Sequence, residues 1–274
     1  AASAPLLGQQ HPTVARGFAA EKSYQVGDVD NVNLFNGNLT LTLPIGPRFK
    51  TGDSFEYGLT LVYNSNVWEI DDVVQETQGW TIAKTHPLDN AGLGWNLSLG
   101  RLLQPGDPNN DRLETYNYIA PDGSEHRFAE VLRPGQPIVA GVKYSLDNSF
   151  LRLVLLPAVN PNYAEVHFPD GNVHIFVKNA NFDWRLQTIR DPYNNYLQIA
   201  YTSPTLWTLT DNFLRTHTIE FQTLGAGEAR RTVVSRVNLL SPLSTSPTNT
   251  LASYTFNYTQ PLVQRGCPNH PPSG

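Results

Sequence analysis

Apolar and polar residues alternate with a period of two along most of the chain from Tyr24 onward. Leu39, Leu41 and Leu43 alternate with Thr40 and Thr42, which predicts a half-buried strand closed by Pro44. Leu59, Leu61 and Tyr63 alternate with Thr60 and Val62 in a second strand, and Val173, Ile175 and Val177 oppose His174 and Phe176 in a third. No window keeps i, i+3, i+4 spacing through three turns without a Gly or Pro, so helices are not expected. The 20 glycines and 21 prolines are spread along the chain, as many turns between short strands require. The pattern predicts an all-β fold of successive antiparallel hairpins forming a large curved sheet.

Internal repetition sharpens this picture. Pro121-Asp122-Gly123-Ser124-Glu125-His126-Arg127-Phe128 recurs as Pro169-Asp170-Gly171-Asn172-Val173-His174-Ile175-Phe176. Asp-Gly between strand-like flanks suits a two-residue type I′ turn, whose central residues both need φ > 0. With Asp170 and Gly171 as the loop, Pro169 faces Asn172, Phe168 faces Val173 and His167 faces His174. A looser repeat follows. Leu186 to Pro192 leads to Asn195, Leu197, Ile199 and Tyr201; then Leu206, Leu209, Thr210 and Asp211 lead to Arg215, Ile219 and Phe221. Val233 to Leu240 and Leu251 to Tyr258 form a further strand pair around a Ser/Thr/Pro loop.

The unit at Ile189, Asp191, Pro192, Asn195 and Tyr201 resembles the degenerate YD repeat of Rhs-type proteins, as does that at Leu209, Thr210, Asp211 and Arg215. Asn194 and Phe213 stand where the family's turn glycine is expected; Asn accepts φ > 0 and Phe does not, so the second turn departs from the pattern. Upstream, Asn33 to Thr40, Tyr63-Asn64-Ser65 and Gly92 to Leu97 resemble the region leading into such repeats, and the likeness covers roughly residues 24 to 262. It implies part of a β-sheet strip that spirals into a hollow shell, enclosing a C-terminal effector in bacterial toxins and serving as a surface or adhesion scaffold elsewhere. The family's autoproteolytic core and toxin tip are not matched, so a fragment or processed piece of a longer precursor is expected. The corresponding division is an arm or linker over 1–20, an N-terminal β domain over 21–130, a YD-repeat-like β-strip over 131–262 and a tail over 263–274.

Composition narrows the partners. With 274 residues, 40% of them hydrophobic, the chain can bury an ample core. Charged residues are only 16%, so Asn, Thr, Ser and Gln supply much of the polar surface, a profile common in exported β proteins. A net charge of −5 with no basic cluster argues against nucleic acid. The longest apolar run, Leu151 to Ala158, is broken by Arg152 and Pro157 and is far short of the roughly 20 residues of a membrane span. The lone Cys267 permits no intrachain disulfide. The opening Ala-Ala-Ser-Ala-Pro has the small-residue character of a signal-peptidase site, which points to a secreted or cell-surface protein, with a trimmed chain as the plainer explanation.

Candidate chemistry is sparse. In the register above, His167 and His174 are cross-strand neighbours with Cβ atoms about 5 Å apart and could share a Zn²⁺ with Glu165, or be two surface histidines. Asp107, Asn109 and Asp111 fit the first positions of a calcium loop, which then fails at Arg112 and Tyr118; an Asp/Asn/Pro-rich turn explains them equally. No Gly-x-Ser-x-Gly elbow, His-Glu-x-x-His motif or phosphate-cradling loop occurs, and Cys267 sits in a Gly/Pro-rich tail. Carboxylate pairs that are adjacent, such as Asp71 and Asp72, or alternate, such as Asp28 and Asp30, are ordinary in turns, and glycosidase carboxylates cannot be identified by spacing in sequence. Catalytic residues and cofactors are therefore not expected. Trp68, Trp80, Trp95, Trp184 and Trp207 are either core or sugar-stacking rings. The leading expectation is a non-catalytic structural segment whose open sheet edge meets further strands of its precursor or another copy. A carbohydrate-binding or adhesion module that takes a surface glycan is the alternative, and a glycoside hydrolase comes third.

Overall fold

A computed structural model describes residues 24–259 apart from 27–28, 35–36, 76–77, 86–88, 108–113, 157–159, 180–182, 226–229 and 242–249; the 1–20 arm and the 263–274 tail with Cys267 lie outside them. The described residues are all-β, with no helix among them, and no helix is long and apolar enough to cross a membrane.

The chain opens with β1 (Tyr24–Val26), β2 (Asp30–Asn33), β3 (Leu39–Lys50) and β4 (Glu56–Asn64), followed by a ribbon of β5 (Trp68–Gln75) and β6 (Gln78–Thr85). Strand β7 (Trp95–Leu97) then completes a five-stranded sheet in the order β1-β2-β3-β4-β7. Pro44 does not close β3, which runs on to Lys50. The ladder to β2 ends at Leu41, so from there β3 is an edge on that side, and a proline without an N–H costs no rung. The inward positions beyond it are Ile45 and Phe49, while Leu43 is exposed and Thr40 buried.

Next, eight strands follow one another as an antiparallel meander: β8 (Arg101–Leu103), β9 (Asn117–Ile119), β10 (Glu125–Ala129), β11 (Val142–Ser145), β12 (Arg152–Leu155), β13 (Tyr163–His167), β14 (Val173–Lys178) and β15 (Trp184–Arg190). The meander closes into an eight-stranded barrel through a single pair, Trp184 against Leu102. Strands β10 and β11, on either side of residue 130, pair with each other within this barrel. Eight strands leave an interior that side chains can fill. Here Leu102, Tyr118, Phe128, Leu153, Val166 and Phe176 fill it, with Tyr118 edge-on to Phe168, His174 and Phe176.

Both Pro-Asp-Gly turns hold three loop residues rather than two. Gly171 N donates to Phe168 O, Phe168 N to Asn172 O, and the equivalent bonds join Gly123, Ala120 and Ser124. Proline's fixed φ suits the first central position of a type I turn, and the glycine takes the left-handed bulge position, φ 87° at Gly171. The register therefore shifts by one residue: His167 opposes Val173, and His174 opposes Val166. A one-residue shift places the two histidines on opposite faces of the sheet.

From β15 the sheet continues outward through β16 (Tyr196–Ser203), β17 (Leu206–Asp211), β18 (Thr216–Leu224), β19 (Arg231–Leu240) and β20 (Thr250–Thr255), each antiparallel to the last. The two Asp-containing turns share one geometry. Asp191 Oδ1 accepts from the N–H groups of Tyr193 and Asn195; Asp211 Oδ1 accepts from those of Phe213 and Arg215. The left-handed residue is Asn194 in the first turn and Leu214, not Phe213, in the second. The loop carries its bulge one residue later than the family pattern suggested, so Phe213 keeps an ordinary φ and the strain falls on Leu214.

The first sheet packs on this outer strip. Tyr57 donates to Asp211 Oδ2 (2.8 Å), Arg215 donates to Lys50 O (2.6 Å) and Ser54 donates to Asp191 Oδ2 (2.6 Å). One hydrophobic core runs through first sheet, barrel and strip.

Candidate functional site: the fork between barrel and strip

Strand β15 divides one of its edges between two partners. Trp184 pairs with β8, whereas Thr188, Ile189 and Arg190 pair with β16. Between them the sheet forks. The hydroxyl of Tyr201 donates to the Leu186 carbonyl at 3.0 Å, supplying a partner where the ladder has opened.

A cleft of about 720 Å³ occupies the fork. That size lies within the usual range of small-molecule sites. Strand β8 contributes Arg101, β15 contributes Trp184 and Arg185, and Tyr201, Trp207 and Phe221 come from β16, β17 and β18. Tyr201 meets Trp207 edge-on at 5.3 Å, and Trp207 lies 4.6 Å from Phe221. Asn90 secures another wall: its side chain clamps both backbone groups of Leu97, and its carbonyl accepts from Val234 N.

Three donors in the cleft have no acceptor among the described residues. The guanidinium groups of Arg101 and Arg185 make no hydrogen bond or ion pair among the described residues, and the buried Trp184 Nε1 has no partner. Burial pushes Arg101 below its ordinary value, against the opposing pull of Tyr201, Asp107 and Asp183. The Arg185 guanidinium lies 4.9 Å over the Tyr201 ring. Stacking of this kind engages the guanidinium face and leaves its in-plane N–H donors available. Burial pushes the Tyr201 phenol up to about 12, so it is neutral at physiological pH.

Two further polar constellations are buried. In the first, Leu240 N donates to His217 Nδ1, so Nε2 carries the proton and donates to Tyr57 OH, which donates to Asp211. Arg215 Nε and Nη2 both reach Asp211 Oδ2, at 2.7 and 2.6 Å. Every member is satisfied, and the cluster ties β3–β4 to β17–β18. Burial holds His217 down at about 4.

The second has the atom order of a hydrolase triad. Ser124 Oγ is 2.9 Å from His126 Nε2, and His126 Nδ1 is 2.5 Å from Asp147 Oδ2. Burial alone would raise the Asp147 carboxyl, but hydrogen bonds from His126 and Ser149 hold it near 2. A working triad also needs a serine free to attack and N–H donors for the oxyanion. Ser124 is 4% exposed and donates to Asp122 Oδ1 at 2.7 Å, while Gly123 N and Ser124 N are spent on Ala120 O and Asp122. The group stabilises the turn between β9 and β10. Sequence inspection missed it: alternation puts Ser124 and His126 on one face, but Asp147 arrives from the next hairpin.

The expected site residues separate. His174 lies inside the barrel beside Tyr118 OH (2.9 Å), and burial pushes it down to about 3. His167 sits on the other face and bonds Glu165, which also accepts from Tyr163. The zinc pairing thus fails on register, and no group of three or more metal-ligating residues occurs among the described residues. Asp107 lines the cleft, while Asn109 and Asp111 lie outside the described residues. Trp184 and Trp207 both line the cleft, Trp95 packs on Tyr63, Trp68 is exposed, and the Trp80 side chain lies outside the described ones.

No protein-family model matches the chain, and no curated protein matches its sequence.

Proposed function

We propose that the chain is a non-catalytic structural segment of an exported protein of the Rhs/YD-repeat type, a stretch of β-wall made by adding hairpins to one sheet. The observation that carries this reading is the order β15-β16-β17-β18-β19-β20, in which sequential strands are neighbours and two consecutive turns reuse one Asp-capped geometry. A unit that repeats its own edge can be extended without changing its chemistry. Strand β20 has β19 as its one neighbour among the described strands, and it is exposed along most of its length. Exposed edges of this kind are paired or covered in stable assemblies. The next strand comes from the same precursor or from another copy.

A hydrolytic role has less support. Of the aspartates in the cleft, Asp89 accepts from Gly94 N and Asp183 accepts from Asn179. The triad-like group at Ser124 lacks a free hydroxyl. Hydrogen exchange tests the wall reading. Outward amides of β20 should exchange fast in dilute protein, then become protected at high concentration or when the native downstream sequence is attached. Protection that is the same in all three states refutes the open edge.

A further inference from the structure

The fork cleft carries more than a structural wall requires. A wall needs its branch point filled, yet about 720 Å³ is left open and bordered by donors that bond nothing among the described residues. We propose that this cleft binds a saccharide bearing a single carboxylate or sulfate, the oxyanion seated on Arg101 and Arg185 and the sugar ring against the Trp207–Phe221 wall.

Three features define the ligand. First, Arg101 and Arg185 offer paired planar donors without acceptors, and a planar carboxylate or a sulfate matches that geometry. Second, among the described residues the cleft sets Arg101, Arg185, Arg230 and Arg231 against Asp89, Asp107 and Asp183, one positive charge in excess. That balance suits one negative charge and disfavours a polyphosphate, which would meet the aspartates with several. Third, aromatic walls alternate with polar side chains of both kinds. Sugars present the same alternation, with C–H faces for rings and hydroxyls for donors and acceptors. The Arg185 guanidinium is held in place by its stack on Tyr201, and Tyr201 is itself fixed by its bond to Leu186 O, so the site is preorganised.

The test uses the full chain with sialyllactose, which carries one carboxylate, its methyl ester, a singly sulfated neutral oligosaccharide and inorganic sulfate, read by calorimetry and by quenching of Trp184 and Trp207 fluorescence. The charged oligosaccharides should bind and quench. The methyl ester should bind about tenfold or more weakly, as should the acid form to Arg101→Gln or Trp207→Ala. Preference between the carboxylated and the singly sulfated sugar identifies the natural oxyanion. Should Arg101→Gln fold poorly, Arg185→Gln gives the same readout from a residue that makes no hydrogen bond. Protection of Arg101 and Arg185 from phenylglyoxal by the ligand tests the site without substitution. Equal binding of ester and acid, binding of inorganic sulfate as tight as that of the sugars, or no binding at all would overturn the proposal. None of these outcomes depends on the β20 edge.

Discussion

Leu214 offers a direct test of the turn geometry. It holds φ 61° in the β17–β18 turn, whereas the same position of the β15–β16 turn is Asn194 at φ 67°. A left-handed conformation costs a branched L-residue roughly 1–2 kcal/mol, and asparagine less. The Leu214 side chain is 77% exposed, so little packing offsets that cost. Leu214→Asn should therefore stabilise the protein by about 1 kcal/mol. Leu214→Gly should gain less, because glycine gives back roughly 0.5–1 kcal/mol through the entropy of the unfolded chain. The reverse change, Asn194→Leu, alters an exposed residue with no side-chain bond of its own and should cost about 1 kcal/mol. Urea denaturation at constant m reads the sign directly, and Tm should move by about 2–4 °C for a chain of this size. If Leu214→Asn is neutral or destabilising and Asn194→Leu is silent, the strain is not where the backbone places it.

Three further outcomes follow from the buried polar groups. Asp211→Ala strips the acceptor from buried Arg215 and Tyr57 and should cost about 3–5 kcal/mol in denaturant unfolding. His174 and His217 titrate near 3 and 4 when folded but near 6.5 when unfolded, so the unfolded state takes up two protons that the folded state refuses. Stability is then full above about pH 6.5 and falls by up to about 3 kcal/mol per pH unit toward pH 4; urea midpoints across that window check it, and His174→Gln should halve the slope. A fluorophosphonate probe should leave Ser124 unlabelled, and Ser124→Ala should change thermal stability only, by about 1 kcal/mol.

The strand content was legible because alternation and Pro/Gly punctuation are local, and so was the adding of hairpins from β15 to β20. Register was harder. Pro169 before Asp170-Gly171 favours a type I turn with a glycine bulge over the tighter I′ form, and that one residue decides whether His167 and His174 share a face. The cleft was invisible for a different reason. Leu102 meets Trp184 through barrel closure, which brings Arg101 to the cleft, and Tyr201 meets Leu186 through the fork; neither contact leaves a periodic trace in the chain. The five tryptophans marked binding as possible chemistry, but only the tertiary path selected Trp184 and Trp207.

The lone rung between Leu102 and Trp184 also governs how the molecule carries force. Tension applied at β20 passes strand by strand to β15, where full ladders on the β14 side resist shear and the seam to β8 has one pair to offer. Under load the cylinder should unzip there first and flatten into a continuous ribbon, keeping its remaining ladders intact.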